Sequence, residues 1–372
     1  MKKLLIAFMC AALLAVTGTA AQAAQTYELK IQTSLATSSM YFRTLERFKK
    51  NLEALTSGQI KVELLAEGAV VKGFEVFEAV SEGIITGGMS WTHWASGKHP
   101  AGVLFSAPVG GLGLGLDQIS VLSWMWDGDG LALLNEYYQQ MVKVKLRAYP
   151  VLPMGPECFG WFHKKYTSFE EINKLTFRAP PGVPTEVFKA MGMPVVSMPG
   201  GEIIPAAQRG AIDAAEWIAP GEDLPMGFAE VWKHYYLQGL HQAISIGDVY
   251  INIEWYEKLP ANLKAAVEVA MKACLADQML ANISVNSKAL QTMVRDKGVI
   301  IEETPKEYYA KFMQATKTVL EKYMKDPFFK KVYDSELAWA KMTVPFQVRS
   351  NGLYYQIGKT AMDEGVITDY QK

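Results

Sequence analysis

The stretch Gly201–Asp223, GEIIPAAQRGAIDAAEWIAPGED, decides how the rest of the chain is read. Ile203, Ile204 and Ala207 give a short apolar helical face, and Gly210 is a natural helix stop. Ala211–Ala215 then reads as a short buried strand carrying one acid, Asp213. It runs straight into Glu216 and Trp217, and Pro220-Gly221 turns the chain away. A carboxylate and an indole at the carboxyl end of an α/β strand sit where open sheets bind ligands. The plainer alternative is a structural acid beside a core tryptophan.

An echo of this unit lies upstream. Phe74–Trp91, FEVFEAVSEGIITGGMSW, reads as helix, stop at Gly83, apolar strand and tryptophan, the same order as Ile203–Trp217. Two copies of one unit imply a two-lobed α/β protein with a cleft. Around them, Leu29–Thr33, Tyr41–Leu55 and Ile60–Leu64 read as strand, helix and strand, a parallel βαβ unit. Gly110–Asp117, GGLGLGLD, lacks the dinucleotide spacing and reads as a flexible or tightly turned loop. Val144–Tyr149 and Phe159–His163 read as strands marking the crossing into the second lobe, and Leu175–Ala179 as a further strand ending at Arg178. Ser245–Ile253 returns as a long strand to the first lobe. Ala261–Lys297 is nearly unbroken helix former; at ~1.5 Å per residue it reaches ~50 Å, enough to brace both lobes or to pack on a partner subunit. Tyr308–Met324, Pro327–Met342 and a short tail complete a helical C-terminal region. The expected division is 24–149 as lobe I with a return strand at about 243–259, 150–242 as lobe II, and 260–372 as the long helix and helical end.

Residues 1–23 stand outside that fold. Lys2 and Lys3 precede the apolar run Leu4–Val16, and Ala21-Gln22-Ala23 is a small-x-small cleavage signal, so the chain is expected to be exported. Cys10 lies inside the apolar run, so no lipid-anchor spacing follows it. Loss of Lys2 and Lys3 takes the formal charge from −1 to −3, which gives no electrostatic footprint for nucleic acid or anionic lipid. Cys158 and Cys274 could pair in an oxidising compartment, but two cysteines so far apart read more readily as buried thiols.

Glu157, Arg178, Glu216 and Gln242 fall at lobe–lobe positions, with Trp217 beside them. Arg178 offers a planar fork of donors suited to a carboxylate. Glu157, Glu216 and Gln242 offer oxygens, the preference of hard cations such as Ca²⁺ or Na⁺. The plain alternative is that Arg178 pairs with Glu216. Trp91 and Phe159 complete the expected ligand contacts. Catalytic signatures are poorer: there is no G-x-S-x-G, H-E-x-x-H, C-x-x-C or P-loop. His241 could serve as a base but has no evident nucleophile, and Asp127-Gly128-Asp129-Gly130 reads as a turn. Trp124, Trp126, Tyr137 and Tyr138 fit a helix packing stripe.

The run GGEIIPAAQRGAIDAAEW, followed by PGEDLPMGF and WKHYY, resembles the DctP-type solute-binding receptors of TRAP (tripartite ATP-independent periplasmic) transporters. It is most similar to the subgroup that binds 2-oxoacids and related carboxylates with a metal ion. The likeness also takes in GAVVKGFEVFEAVSEG and GWFHKKYTSFEEINKLTFRAPPG, and covers nearly the whole chain after the leader. It implies a periplasmic clamshell with a buried ligand, and a long C-terminal helix that can build a dimer. It places the carboxylate-binding arginine at Arg178 and the metal-site pair at Glu216 and Trp217, the latter through its backbone carbonyl. Two positions depart: Glu157 stands where the subgroup usually has Gln, and Gln242 where it has Glu. Two carboxylates and one amide oxygen are therefore kept, exchanged between sides. Leu240-His241 replaces a bulkier aromatic pair and leaves the substrate open.

The expected function is a periplasmic solute-binding protein, not an enzyme, that captures a small organic carboxylate (2-oxoacid or hydroxy acid type) and delivers it to TRAP membrane permease subunits. The alternatives are an exported metal-assisted hydrolase or lyase using Glu216 and His241, or a ligand-presenting partner of a sensor kinase.

Overall fold

The computed structural model describes residues 25–198 and 200–370, so the leader expected over 1–23 lies outside the described residues. Eleven strands run in chain order: β1 (Tyr27–Thr33), β2 (Ile60–Leu65), β3 (Gly87–Trp91), β4 (Leu146–Pro153), β5 (Gly160–Phe162), β6 (Phe177–Arg178), β7 (Val195–Val196), β8 (Ala214–Ala215), β9 (His234–Tyr236), β10 (Ile246–Asn252) and β11 (Ile300–Glu302). They form two sheets, β2-β1-β3-β10-β4 and β11-β9-β5-β8-β6-β7. The α/β two-lobed architecture is thus as the sequence implies.

The first sheet begins as the expected parallel βαβ unit: β1 pairs parallel with β2 across the helix Met40–Leu55. That helix buries Leu45, Phe48 and Leu52 against Leu29 and Ile31 of β1, while Leu55 at its end is exposed. β10 returns antiparallel between β3 and β4. Every residue of β10 is buried, so its two faces enter two different apolar cores. Val249 and Ile251 point to one, Ile246 and Tyr250 to the other. β4 continues through Pro153, so the crossing to the second lobe falls beyond the boundary expected at 149/150. β11, although in the C-terminal region, belongs to the second sheet, beside β9.

The internal echo is physical. Helix Val76–Ser81, Gly83 at φ +75° and β3 form one copy; helix Gly200–Gln208, Gly210 at φ +69° and β8 form the other. Each glycine supplies the left-handed residue that ends its helix. Each copy delivers its strand to the interior of its own sheet.

The 37-residue helix Ala261–Lys297 does bridge the lobes. Leu263, Val267, Met271 and Cys274 bury against the first sheet's core, while Leu290 and Met293 bury in the second lobe beside Phe228 and Trp232. The helix at Pro327–Ser350 runs further than expected, through Pro345, and the tail forms another helix, Gly352–Asp363. At the start of GGLGLGLD a short 3₁₀ turn, Val109–Gly113, forms, and Leu112 and Leu116 are buried in the core that also holds Tyr308 and Phe312. Asp127–Gly130 is a turn between two helices, and Trp124, Tyr137 and Tyr138 are core residues, both as expected. Cys158 and Cys274 are buried free thiols.

One buried acid of the first lobe makes its stability pH-dependent. Asp248, on β10, accepts hydrogen bonds from Thr92 Oγ1 and Tyr138 OH, yet burial pushes its carboxyl from 3.8 up to about 7. The folded state therefore holds a proton that the unfolded chain has lost over this window, so stability falls as pH rises from about 4 to about 7. Replacing Asp248 with Asn should flatten that part of a melting-temperature–pH curve. A slope unchanged from wild type would assign the dependence elsewhere.

Candidate functional site

Parallel pairing of β6 with β8 sets Arg178 beside Ala215, one residue before Glu216. Glu216 N–H donates to the Arg178 carbonyl at 3.3 Å, which locks the register. The side chains then meet: Arg178 Nη1 donates to Glu216 Oε1 and to the Glu216 carbonyl at 3.3 Å. Nε and Nη2 donate to the Met198 carbonyl at 3.2 and 2.9 Å. The plain alternative raised by the sequence, an Arg178–Glu216 pair, is therefore present, and most of the guanidinium fork already faces protein acceptors. The guanidinium also lies over the Trp217 indole at 5.4 Å. Gly200 permits that placement, because a Cβ there would collide with the indole.

The other members come from the two strand crossings between lobes. β4 leads to Glu157 and β9 leads to His241 and Gln242, and the crossings are tied by Glu157 N–H to the Gln242 carbonyl at 3.1 Å. Glu157, Glu216, His241 and Gln242 are each 4% exposed or less. His241 Nε2 lies 3.6 Å from Glu216 Oε2 and 3.7 Å from Glu157 Oε2, a charge contact too long for a hydrogen bond. Glu157 Oε2 and both His241 ring nitrogens are buried without hydrogen-bond partners. Burial pushes the Glu157 carboxyl up, with His241 pulling the other way. Burial works against the charged imidazole of His241, but Glu157 and Glu216 outweigh it and hold it above its ordinary value.

Glu157, Arg178, Glu216 and Gln242 face a cleft of about 540 Å³ with both lobes in its walls, while His241 lies behind them. Trp91, Trp94 and Met154 come from the first lobe; Arg178, Trp217 and Met226 come from the second. Trp91 and Trp94 pack at 4.6 Å, and Trp91 Nε1 points at Met154 Sδ, 3.1 Å away. Trp91 and Trp217, the ends of the two echoed units, thus meet across one cavity. Glu222 also reaches between lobes: its Oε1 accepts from Met40 N–H at 2.8 Å, at the start of the first lobe's helix.

Of the residues picked from sequence, Arg178, Glu157, Glu216, Trp217, Trp91 and Gln242 all line this cleft. Phe159 does not. It is fully buried among Phe162, Phe177, Tyr236 and Tyr308, an aromatic cluster of the core. His241, considered only as a base, is the side chain that stands between the carboxylates, while its neighbour Gln242 also contributes its main-chain carbonyl to the crossing. Asp223 was not singled out; it accepts from Trp161 Nε1, Tyr235 OH and Ile218 N–H, and so pins the segment after Trp217.

The donor set fits a cation. Two buried carboxylates, one with an unpaired oxygen, lie around His241 with a single arginine on one side, and a positive ion between Glu157 and Glu216 would satisfy the oxygens that the arginine does not reach.

A family model for bacterial extracellular solute-binding protein, family 7 (DctP), matches residues 31–326. The chain is 28% identical over 332 residues to a monocarboxylate 2-oxoacid-binding periplasmic protein from Nostoc sp., covering 88% of this chain and 87% of that one. It superposes on a TRAP transporter solute-binding protein from Bordetella bronchiseptica, a dimer with calcium and picolinate bound, with a TM-score of 0.83. Identity there is 23%, over 92% of this chain and 99% of that one. It also superposes on a TRAP periplasmic solute-binding protein from Pseudoalteromonas atlantica with sodium and pyruvate, with a TM-score of 0.79. Identity is 22%, over 89% and 99% of the two chains. No described helix is long and apolar enough to cross a membrane. The structural likeness fixes the fold and the family model fixes the kinship: the chain belongs to the DctP family of bacterial extracellular solute-binding proteins, family 7.

Proposed function

We propose that this protein is the extracytoplasmic receptor of a TRAP transporter, exported by a leader cleaved after Ala23, that captures a small carboxylate of 2-oxoacid or hydroxy acid type together with a cation and hands it to a membrane permease. The observation that carries this reading is the buried cluster of Glu157, Glu216 and Arg178 facing a cleft between two lobes. The alternatives, a hydrolase or lyase and a sensor-kinase partner, have no comparable support: the relatives named above are solute-binding proteins.

Charge decides how the residues work. With the His241 imidazole neutral, two carboxylates and one guanidinium sum to −1; with it protonated between the carboxylates they sum to zero, and neither state leaves positive charge to spare for an anionic ligand. A bound cation supplies the offsetting charge. Glu157, Glu216, Gln242 and the Trp217 carbonyl would hold it, and its charge would take the place of Arg178 beside Glu216, leaving the arginine fork free for the ligand's carboxylate. Trp91 and Trp217 enclose the remainder and exclude water. The crossings 154–159 and 237–245 act as the hinge, so that ligand contacts from both sheets favour the closed lobes. Closure presents a composite surface to the permease.

The exposed apolar side chains of the last helices, among them Phe346 (68% exposed), Tyr354 (73%) and Tyr355 (82%), would be covered in a dimer built through this end. Light scattering should give twice the chain mass, and removal of residues 344–372 should halve it; a monomeric full-length protein would contradict the pairing.

Arg178→Lys keeps the charge but not the fork. It should weaken carboxylate binding, read by calorimetry, by about 10- to 100-fold, the worth of one charge-assisted hydrogen bond. Arg178→Ala should abolish binding, with circular dichroism reporting whether the fold survives an orphaned Glu216. Unchanged affinity in a folded Arg178→Lys protein would refute the carboxylate role.

A further inference from the structure

The cation site holds one donor that its oxygen ligands do not explain. His241 is fully buried, and neither ring nitrogen has a hydrogen-bond partner. Its polar contacts are charge contacts too long for hydrogen bonds, so the ring lacks the hydrogen-bond partners a buried imidazole ordinarily finds. Its Nε2 nevertheless sits almost equidistant, 3.6 and 3.7 Å, from the inner oxygens of Glu216 and Glu157. Two ligands about 2.1 Å from a tetrahedral ion stand about 3.4 Å apart, so a contraction of a few tenths of an ångström would bring the imidazole and either carboxylate onto one ion. One atom from each of the three side chains lies within 4.8 Å of the other two.

We propose that His241 is a third protein ligand of the cation, making a mixed carboxylate–imidazole centre that takes a borderline first-row divalent ion such as Zn²⁺ more tightly than Ca²⁺. The inference rests on the cation-assisted reading above and adds the class of ion. Ca²⁺ gathers six to eight oxygens and draws little from a nitrogen donor, whereas imidazole suits zinc and its neighbours. Glu157 and Glu216 give the ion two full carboxylate charges beside the imidazole. The count also works for the ligand: two carboxylates, a neutral imidazole, Arg178 and a divalent ion sum to +1, the complement of a monocarboxylate. The ring plane is set by packing beside Phe188, at 5.7 Å between centroids, rather than by a hydrogen bond at Nδ1.

The test uses the chelator-stripped protein, titrated by calorimetry with Zn²⁺ and with Ca²⁺ in wild type and in His241→Gln. Wild type should bind one Zn²⁺ per chain at least about tenfold more tightly than Ca²⁺. His241→Gln should lose about 100-fold or more in Zn²⁺ affinity, beyond what losing an outer-shell partner costs, while Ca²⁺ binding moves little. Should that variant fail to fold, pulsed electron paramagnetic resonance on wild type loaded with one Cu²⁺ gives the same answer, since a bound imidazole imprints its remote nitrogen on the signal. Zn²⁺ no tighter than Ca²⁺, or a copper signal without imidazole, overturns the inference and leaves the cation-assisted reading standing. Carboxylate binding by a protein that takes up neither ion overturns both.

Discussion

Two carboxylates share one buried space in this molecule, and one arginine does not balance them. Taking Glu157 and Glu216 out of water costs several kcal/mol each, and the single charge of Arg178 repays only part of that. The imidazole of His241, set between their inner oxygens, is the remaining nearby group that can help. Such an arrangement is held by the fold rather than by its own energetics. The rest of the structure supplies that holding.

The holding is topological. Parallel pairing of β6 and β8 fixes Arg178 against Glu216, and the two lobe crossings are tied to each other by backbone hydrogen bonds, so Glu157 and His241 cannot drift apart. The long helix Ala261–Lys297 packs on both lobes and limits how far they separate. Asp223 and Glu222 secure the segment after Trp217, one inside the second lobe and one against the first. On the proposed reading the site becomes a receptor when an anion and a cation enter together, gripped by groups from the two lobes.

Much of this was legible in the residues. The helix–glycine–strand–tryptophan unit occurs twice, and the pattern survived into two sheets because glycine stops and apolar strands are local signals. Arg178, Glu216 and Trp217 stood out for the same reason: they end strands. The failures are equally physical. Phe159 and Glu157 lie two residues apart, a spacing that on a strand would put both on one face, but they fall in the irregular segment before β5, where no period says which one meets the cleft. His241 and Gln242 are consecutive in a connection with no periodicity, so the sequence could not say which side chain turns inward. β7, β9 and β11, of two or three residues, are too short to carry a pattern, and tertiary pairing alone makes them strands.

Native mass spectrometry of the protein as purified, followed by denaturing release and identification of what it carried, tests the central claim most directly. The account predicts a small carboxylate and one cation per chain, retained together and lost together. A carboxylate held stoichiometrically without any metal ion would contradict it, for then Glu157, Glu216, Arg178 and His241, with no positive charge to spare, would have to receive an anion unaided.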